Sequence, residues 1–318
     1  MRTPFHRFTG AVVAALLAST ACLPARARAE APQTAPAAGK CMMWKVSSPT
    51  ATVYLVGSVH LATPEMYPLP KEMEDAFAKA DTLTVEVNTN KLDQQKLISL
   101  MQTKGMYQGD ETLSTNLKKE TMQALDEECT KLGLPSAGIQ KMKPWVVGLM
   151  LDVLELQKLG MDPNLGIDKH FLDLAAAKGK TIEELESADF QLNLLSSFDP
   201  KLQEESLVST LDEMKNLKSD FNELTSAWIA GDGNAVEAEF DRQVKEHPET
   251  KEVNQKLIFD RNGPMAQKVE TYLKGNKTVF VVAGCLHMVG DHGIVHILQD
   301  DKFAVEQSPA TRVAKADK

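Results

Sequence analysis

Val53–His60, VYLVGSVH, is the stretch that decides how this chain folds. Four strand-forming residues lead into a glycine, and a histidine follows three positions later. A short continuous apolar run bounded by a turn signal reads as a strand buried on both faces. The same phrase returns near the other end of the chain as Val279–His287, VFVVAGCLH, again a β-branched and aromatic run that stops at Gly-x-x-His. Open α/β sheets gather functional groups just past the carboxyl ends of their strands. Two such strands predict an α/β fold with a central β-sheet built from strands of both chain ends and a large helical insertion packed around it.

Working outward, Met42–Ser47 and Ala51–Val56 read as strands on either side of a turn at Pro49, followed by a helix near Lys71–Ala80. Asp81–Asn88 alternates, with Leu83, Val85 and Val87 on one face and Thr84, Glu86 and Asn88 on the other. Helices are expected over Lys91–Thr103, Thr115–Leu132, Pro144–Lys158 and Ile167–Lys178. Pro144 suits a first helical turn and Gly160 a stop. Lys180–Glu186 reads as a short strand. Further helices are expected over Ala188–Ser197, Lys201–Lys218, Asp220–Ile229, Asn234–Val244, Thr250–Asp260 and Pro264–Lys274. Strand Thr278–Ala283, a helix near Gly293–Gln299 and strand Phe303–Glu306 close the fold.

Composition bounds the function. Of 318 residues, 43% are hydrophobic and 25% charged, which is ordinary for a globular chain. Residues 1–29 read as a Sec-type signal peptide: Arg2 and Arg7 precede a short apolar core, and Ala27-Arg28-Ala29 is a small-x-small cleavage site. The expectation is therefore export to the periplasm or the extracellular space, with no integral span in the mature protein. A lipoprotein reading through Cys22 fits less well, since Ser19-Thr20-Ala21 is a poor lipobox. Residues 30–40 read as a disordered Ala/Pro linker, 41–308 as a single domain and 309–318 as a disordered tail. Removing four arginines of the 35 basic residues leaves 31 against 44 acids, about −13. Nucleic acid is not an expected partner. The remaining Cys41, Cys129 and Cys285 allow one disulfide, with Cys41–Cys129 the pairing to test first.

The candidate chemistry lies at the two GxxH turns. Gly57 and Gly284 would let the backbone leave each strand sharply by adopting φ > 0. His60 and His287 then stand where an imidazole can titrate near neutrality or ligate a metal. The plain alternative for each is a loop histidine at a glycine turn. Glu86, in an otherwise apolar strand, needs a partner or a metal if it is buried. Two histidines and a carboxylate suit an open divalent-metal site of Zn, Mn, Fe or Co type, with water as the activated nucleophile. Against this stand several weaker candidates. His292 and His296 have i, i+4 spacing, but Gly293 lies between them. Cys285 and Ser58 are possible nucleophiles in type alone. His170 and His247 read as surface residues, and Met142 and Met150 as packing.

These residues resemble the TraB/PrgY/GumN family, which is related to the Tiki metalloproteases. The resemblance rests on the strand–GxxH start, on VEVN around Glu86, and on G-x-x-H-x-x-G-x-x-G from Gly284 through Gly290 to Gly293. Lys143-Pro144-Trp145, Gly166-Ile167-Asp168, Leu185-Glu186-Ser187 with Gln191, and Arg261-Asn262 look like the family's intervening motifs, and the whole covers roughly residues 42–307. It implies that His60, His287 and Glu86 lie close together, and for the Tiki branch it implies metal-dependent peptide hydrolysis with Mn or Co; the expectation for this chain is a peptide or amide hydrolase using Mn, Co or Zn. It also implies that Arg261 orients a substrate carboxylate or an oxyanion, and that Asp168 and Glu186 support the site. For Asp168 the alternative is helix N-terminal capping, and for Glu186 a strand-end surface acid. The rival function is a non-catalytic cell-envelope protein that binds a peptide, a small molecule or haem.

Overall fold

The computed structural model describes residues 39–311. The signal segment 1–29 with Cys22, most of the 30–40 linker, and residues 312–318 of the tail lie outside the described residues.

Six strands form one mixed sheet: β1 (Gly39–Ser47), β2 (Thr52–Ser58), β3 (Thr82–Val85), β4 (Thr181–Glu184), β5 (Thr278–Gly284) and β6 (Ala304–Ala310). Their order is β4-β3-β5-β2-β1-β6. β2 and β5 are parallel neighbours, with Val53 opposite Val279 and Ser58 opposite Gly284. β3 runs parallel to β5 and to β4, while β1 is antiparallel to both β2 and β6. The two GxxH strands thus lie side by side at the sheet centre and end at the same level. Strands β1 and β6 reach past the bounds read from sequence, β1 beginning at Gly39 and β6 continuing to Ala310.

The helices are α1 (Lys71–Lys79), α2 (Gln94–Leu100), α3 (Leu113–Asn116), α4 (Lys119–Leu132), α5 (Pro144–Lys158), α6 (Ile167–Ala177) and α7 (Ala188–Ser196). They continue as α8 (Pro200–Glu213), α9 (Leu217–Ala230), α10 (Gly233–Glu246), α11 (Lys251–Asn254), α12 (Asp260–Leu273), α13 (Cys285–Met288) and α14 (Ile294–Asp300). The main core joins the sheet to its flanking helices, for example through Phe77 of α1, Phe171 of α6 and Phe280 of β5. A second core of Leu125, Cys129, Val147, Leu151, Leu207 and Leu211 holds α4, α5 and α8 together within the helical insertion. No helix among the described residues is long and apolar enough to cross a membrane.

Several expectations change. The strand at 81–88 stops at Val85, so Glu86 follows the strand end. Its two faces are not apolar and solvated; Thr82 through Asn88 are all buried, because helices cover both sides of the sheet. Thr84 meets this burial by donating to the Tyr272 hydroxyl at 3.3 Å. Gly57 and Gly284 do not have positive φ; Gly284 stands at φ −50°, and of the four motif glycines only Gly290 is left-handed, at +81°. Cys41 and Cys129 are not bridged. The Cys41 thiol faces the carbonyls of Ser308 and Pro309 across the β1–β6 pair, whereas Cys129 is buried in the insertion's own core. Finally, Thr250–Asp260 and Pro264–Lys274 are not separate helices. One helical path runs from α11 through a π-turn at Gln255–Phe259 into α12, with Pro264 inside it.

Candidate active site

The carboxyl ends of β2, β3 and β5 deliver three side chains to one place. His60 follows β2, Glu86 follows β3, and His287 sits in the short α13 after β5; each is 4–6% exposed. The geometry explains the glycine at the end of β5. A Cβ added at Gly284 would stand 3.4 Å from Glu86 Oε1, 3.7 Å from His60 Nε2 and 3.7 Å from His287 Cδ2. The missing side chain therefore leaves a cradle on which all three groups converge. Gly57 serves packing instead, since its own Cβ would press on the Cys285 backbone at 3.1 Å.

Each histidine is oriented from behind. His60 Nδ1 lies 2.8 Å from Asp168 Oδ1. Asp168 sits in the first turn of α6, and its side chain turns to His60. His287 Nδ1 lies 2.6 Å from Asn262 Oδ1, and the Asn262 amide is itself fixed by donation from Nδ2 to the His292 carbonyl at 2.7 Å. Asn262 thus offers an acceptor, so His287 carries its proton on Nδ1 and keeps a lone pair on Nε2. Burial, with the nearby Arg261 charge, pushes His287 down to about 3. Burial pulls His60 down as well, but the Asp168 and Glu86 carboxylates together outweigh it and leave His60 raised above its ordinary value.

Glu86 is anchored on both oxygens. Oε1 accepts from the Gly284 N–H at 2.6 Å, and Oε2 accepts from Arg261 Nη2 at 2.8 Å and Gln191 Nε2 at 3.3 Å. Burial opposes its ionisation, yet the positive charge of His287 when protonated, of Arg261 and of His60, with the Gly284 N–H, holds it at about 2. Arg261 is itself fully engaged, reaching Glu86, both oxygens of Glu186 and the Leu257 carbonyl. In this arrangement the Arg261 guanidinium is bound to the Glu86 and Glu186 carboxylates and so positions Glu86. Glu186 is likewise no surface acid, since it pairs with Arg261 and receives Gln191 Nε2 at 3.0 Å.

The fit to a divalent metal is therefore partial. Two imidazole Nε2 atoms backed by oxygen acceptors, facing a cradle left open by a glycine, are donor chemistry suited to such an ion. Glu86 as a third ligand is not in place. Its Oε2 stands 3.9 Å from His287 Nε2 while serving Arg261, and no group of three or more His, Cys, Asp or Glu at metal-binding geometry occurs among the described residues. Beside His60, Glu86 and Asp168 lies a void of about 20 Å³, enough for one water-sized species.

The weaker candidates separate from the site. Burial raises the Cys285 thiol to about 12, which removes it as a thiolate nucleophile. His292 precedes α14 and packs on Phe259, while His296 reaches Asp300, so the pair does not converge. His170 pairs with Glu74 and His247 with Glu249. Ser58 is fully buried with no partner for its hydroxyl. Asn262 and Gln191 are site residues that the sequence reading passes over. They stand in matched motifs, but a neutral amide shows its role only through the groups it touches.

The TraB/PrgY/gumN family matches residues 42–307. A protein of Escherichia coli strain K12 described as uncharacterized protein YbaP is 27% identical over 142 residues, 45% of this chain and 51% of that protein. A Shigella flexneri protein of the same description matches with the same figures. The chain spans about half the length of these curated relatives. No solved structure matches it.

Proposed function

This chain belongs to the TraB/PrgY/gumN family, and on that premise we propose that it is a metal-dependent hydrolase acting on a peptide or amide bond. The observation that carries the reading is the convergence of His60, His287 and Glu86 on the side-chain-free face of Gly284. His60 and His287 would hold the ion through Nε2, with Mn, Co or Zn as the candidates. A divalent ion there supplies Lewis acidity and a water of lowered pKa. The chain's own groups do the rest. Asp168 and Asn262 fix the two rings, so the ligand nitrogens are preset. Arg261 and Gln191 keep Glu86 ionised and aimed at the cradle, where its negative charge favours a cation.

The test is metal content by mass spectrometry after equilibration with Mn, Co and Zn, run beside His60→Ala and His287→Ala and paired with release of free amine from a peptide library. The reading requires close to one ion per wild-type chain, loss of that ion in both variants, and amine release that follows it. Wild-type protein that retains no metal in any of the three buffers would sink it.

A further inference from the structure

Ser58 ends β2 two residues before His60, and the hydrolytic scheme leaves it unused. It is fully buried, and its hydroxyl has no hydrogen-bond partner in the protein. The backbone on either side is pinned. The Gly57 carbonyl accepts from Trp228 Nε1 at 2.8 Å, and the Val59 carbonyl accepts from the Ile167 N–H at 3.0 Å. The side chain therefore cannot swing out to solvent. Leaving a buried hydroxyl unmatched is costly, so such a group points to a ligand. Among the described residues, Ser58 Oγ and Trp145 Nε1 are the two buried O–H or N–H side-chain donors without a partner, and Trp145 stands in α5, against Gly105.

Register says what the hydroxyl faces. Ser58 pairs with Gly284 in the parallel β2–β5 ladder, so the two residues share a face of the sheet. Gly57, one residue earlier, points to the opposite face, where its Cβ would meet Cys285 and Met288. The strand order β3-β5-β2 then sets Glu86 on one flank of the Gly284 cradle and Ser58 on the other, one strand spacing or about 4.8 Å away. The two flanks are complementary. Glu86 Oε1 accepts from the Gly284 N–H and keeps a second lone pair, whereas Ser58 can donate. Water is held in a buried site by two to four polar partners, and the cradle offers an acceptor and a donor on opposite sides. No base touches the Ser58 hydroxyl, so it is not activated to attack a substrate itself. We propose that Ser58 holds a water molecule in the cradle by donating to its oxygen, while Glu86 Oε1 accepts one of the water's protons. That this water is the nucleophile rests on the hydrolase reading; that Ser58 binds it does not.

The experiment has two parts, both on the full chain. A metal-free crystal structure at a resolution that orders water should show one water within hydrogen-bond distance of both Ser58 Oγ and Glu86 Oε1. The Ser58→Ala structure should lose that water with its backbone unchanged. In metal-loaded protein, Ser58→Ala should lower kcat about 10–100-fold while KM and bound metal stay as in wild type, and Ser58→Thr, which keeps the hydroxyl, should recover most of the loss. A merely structural serine would instead lower the melting temperature and the metal content together. The proposal is overturned if the metal-free crystals place no water between the two groups, or if Ser58→Ala keeps that water. Wild-type protein that holds no metal and hydrolyses nothing removes the hydrolase reading, and the crystallographic result still decides this one.

Discussion

Gly284 is the residue whose replacement says most. Its φ of −50° is open to any residue, and the contacts a methyl group would meet begin at 3.4 Å. Gly284→Ala should therefore fold, with a stability change within about 1 kcal/mol, yet lose metal binding and activity because the methyl fills the cradle. A variant that melts like wild type and still loads metal would refute the assignment. Asn262→Leu removes the acceptor behind His287 and should cost about 10–100-fold in metal affinity, the usual effect of losing an outer-shell partner. Competition with a chelator reads that loss directly. His60 and His287 were legible in the sequence because each follows an unmistakable strand and glycine. Glu86 was legible because a carboxylate sits badly in TLTVEVN. Asn262 and Gln191 were not, since an amide on a helix carries no mark of what it touches. Arg261 was legible through its motif, but its two carboxylate partners were not, because they lie about 75 and 175 positions away in sequence.

At the level of elements, the π-turn at Gln255–Phe259 sets the aim of Arg261 and Asn262. A π-turn is in effect one extra residue in a helix. Deleting Lys256 to restore regular pitch should rotate the following residues by about 100°, carrying the Arg261–Asn262 pair off the site. The deletion variant should keep its helical circular dichroism and lose metal binding. Arg261→Met keeps the helix but strands Glu86 and Glu186. Breaking a buried pair from one side typically costs about 3–5 kcal/mol, and urea unfolding should report a loss of that order. The sequence reading split this path into two helices because Pro264 reads as a first-turn proline. In the structure Pro264 falls only four residues after Asp260, early in α12, where it leaves the Asp260 carbonyl without its usual helical donor. Strand β3 was drawn too long for a similar reason, since alternation in Asp81–Asn88 continues past the point where pairing stops.

Across the whole molecule the site makes stability depend on pH. His287 is held at about 3 in the folded chain against an ordinary 6.5, so below about pH 6.5 the unfolded chain takes up that proton first. Glu86, at about 2 against 4.5, adds the same sign between about pH 4.5 and 2. Both contributions are present at neutral pH and lost on acidification. His60, shifted upward, acts oppositely: its contribution is full below about 6.5 and fades as pH rises through its folded value. The melting temperature should fall from pH 6.5 to 4, and His287→Asn should flatten that fall. A variant with an unchanged slope would show that His287 is not held neutral. The architecture was readable at this scale, because two continuous apolar runs at opposite ends can only be satisfied as neighbours in one covered sheet. The order β3-β5-β2 was not, since nothing local says that the late strand enters between two early ones. That insertion bears on biosynthesis. While the ribosome is still short of β5, β2 and β3 have a gap between them, and of the candidate site's three converging groups the nascent chain holds only His60 and Glu86. The candidate site can therefore assemble only after β5 has been made.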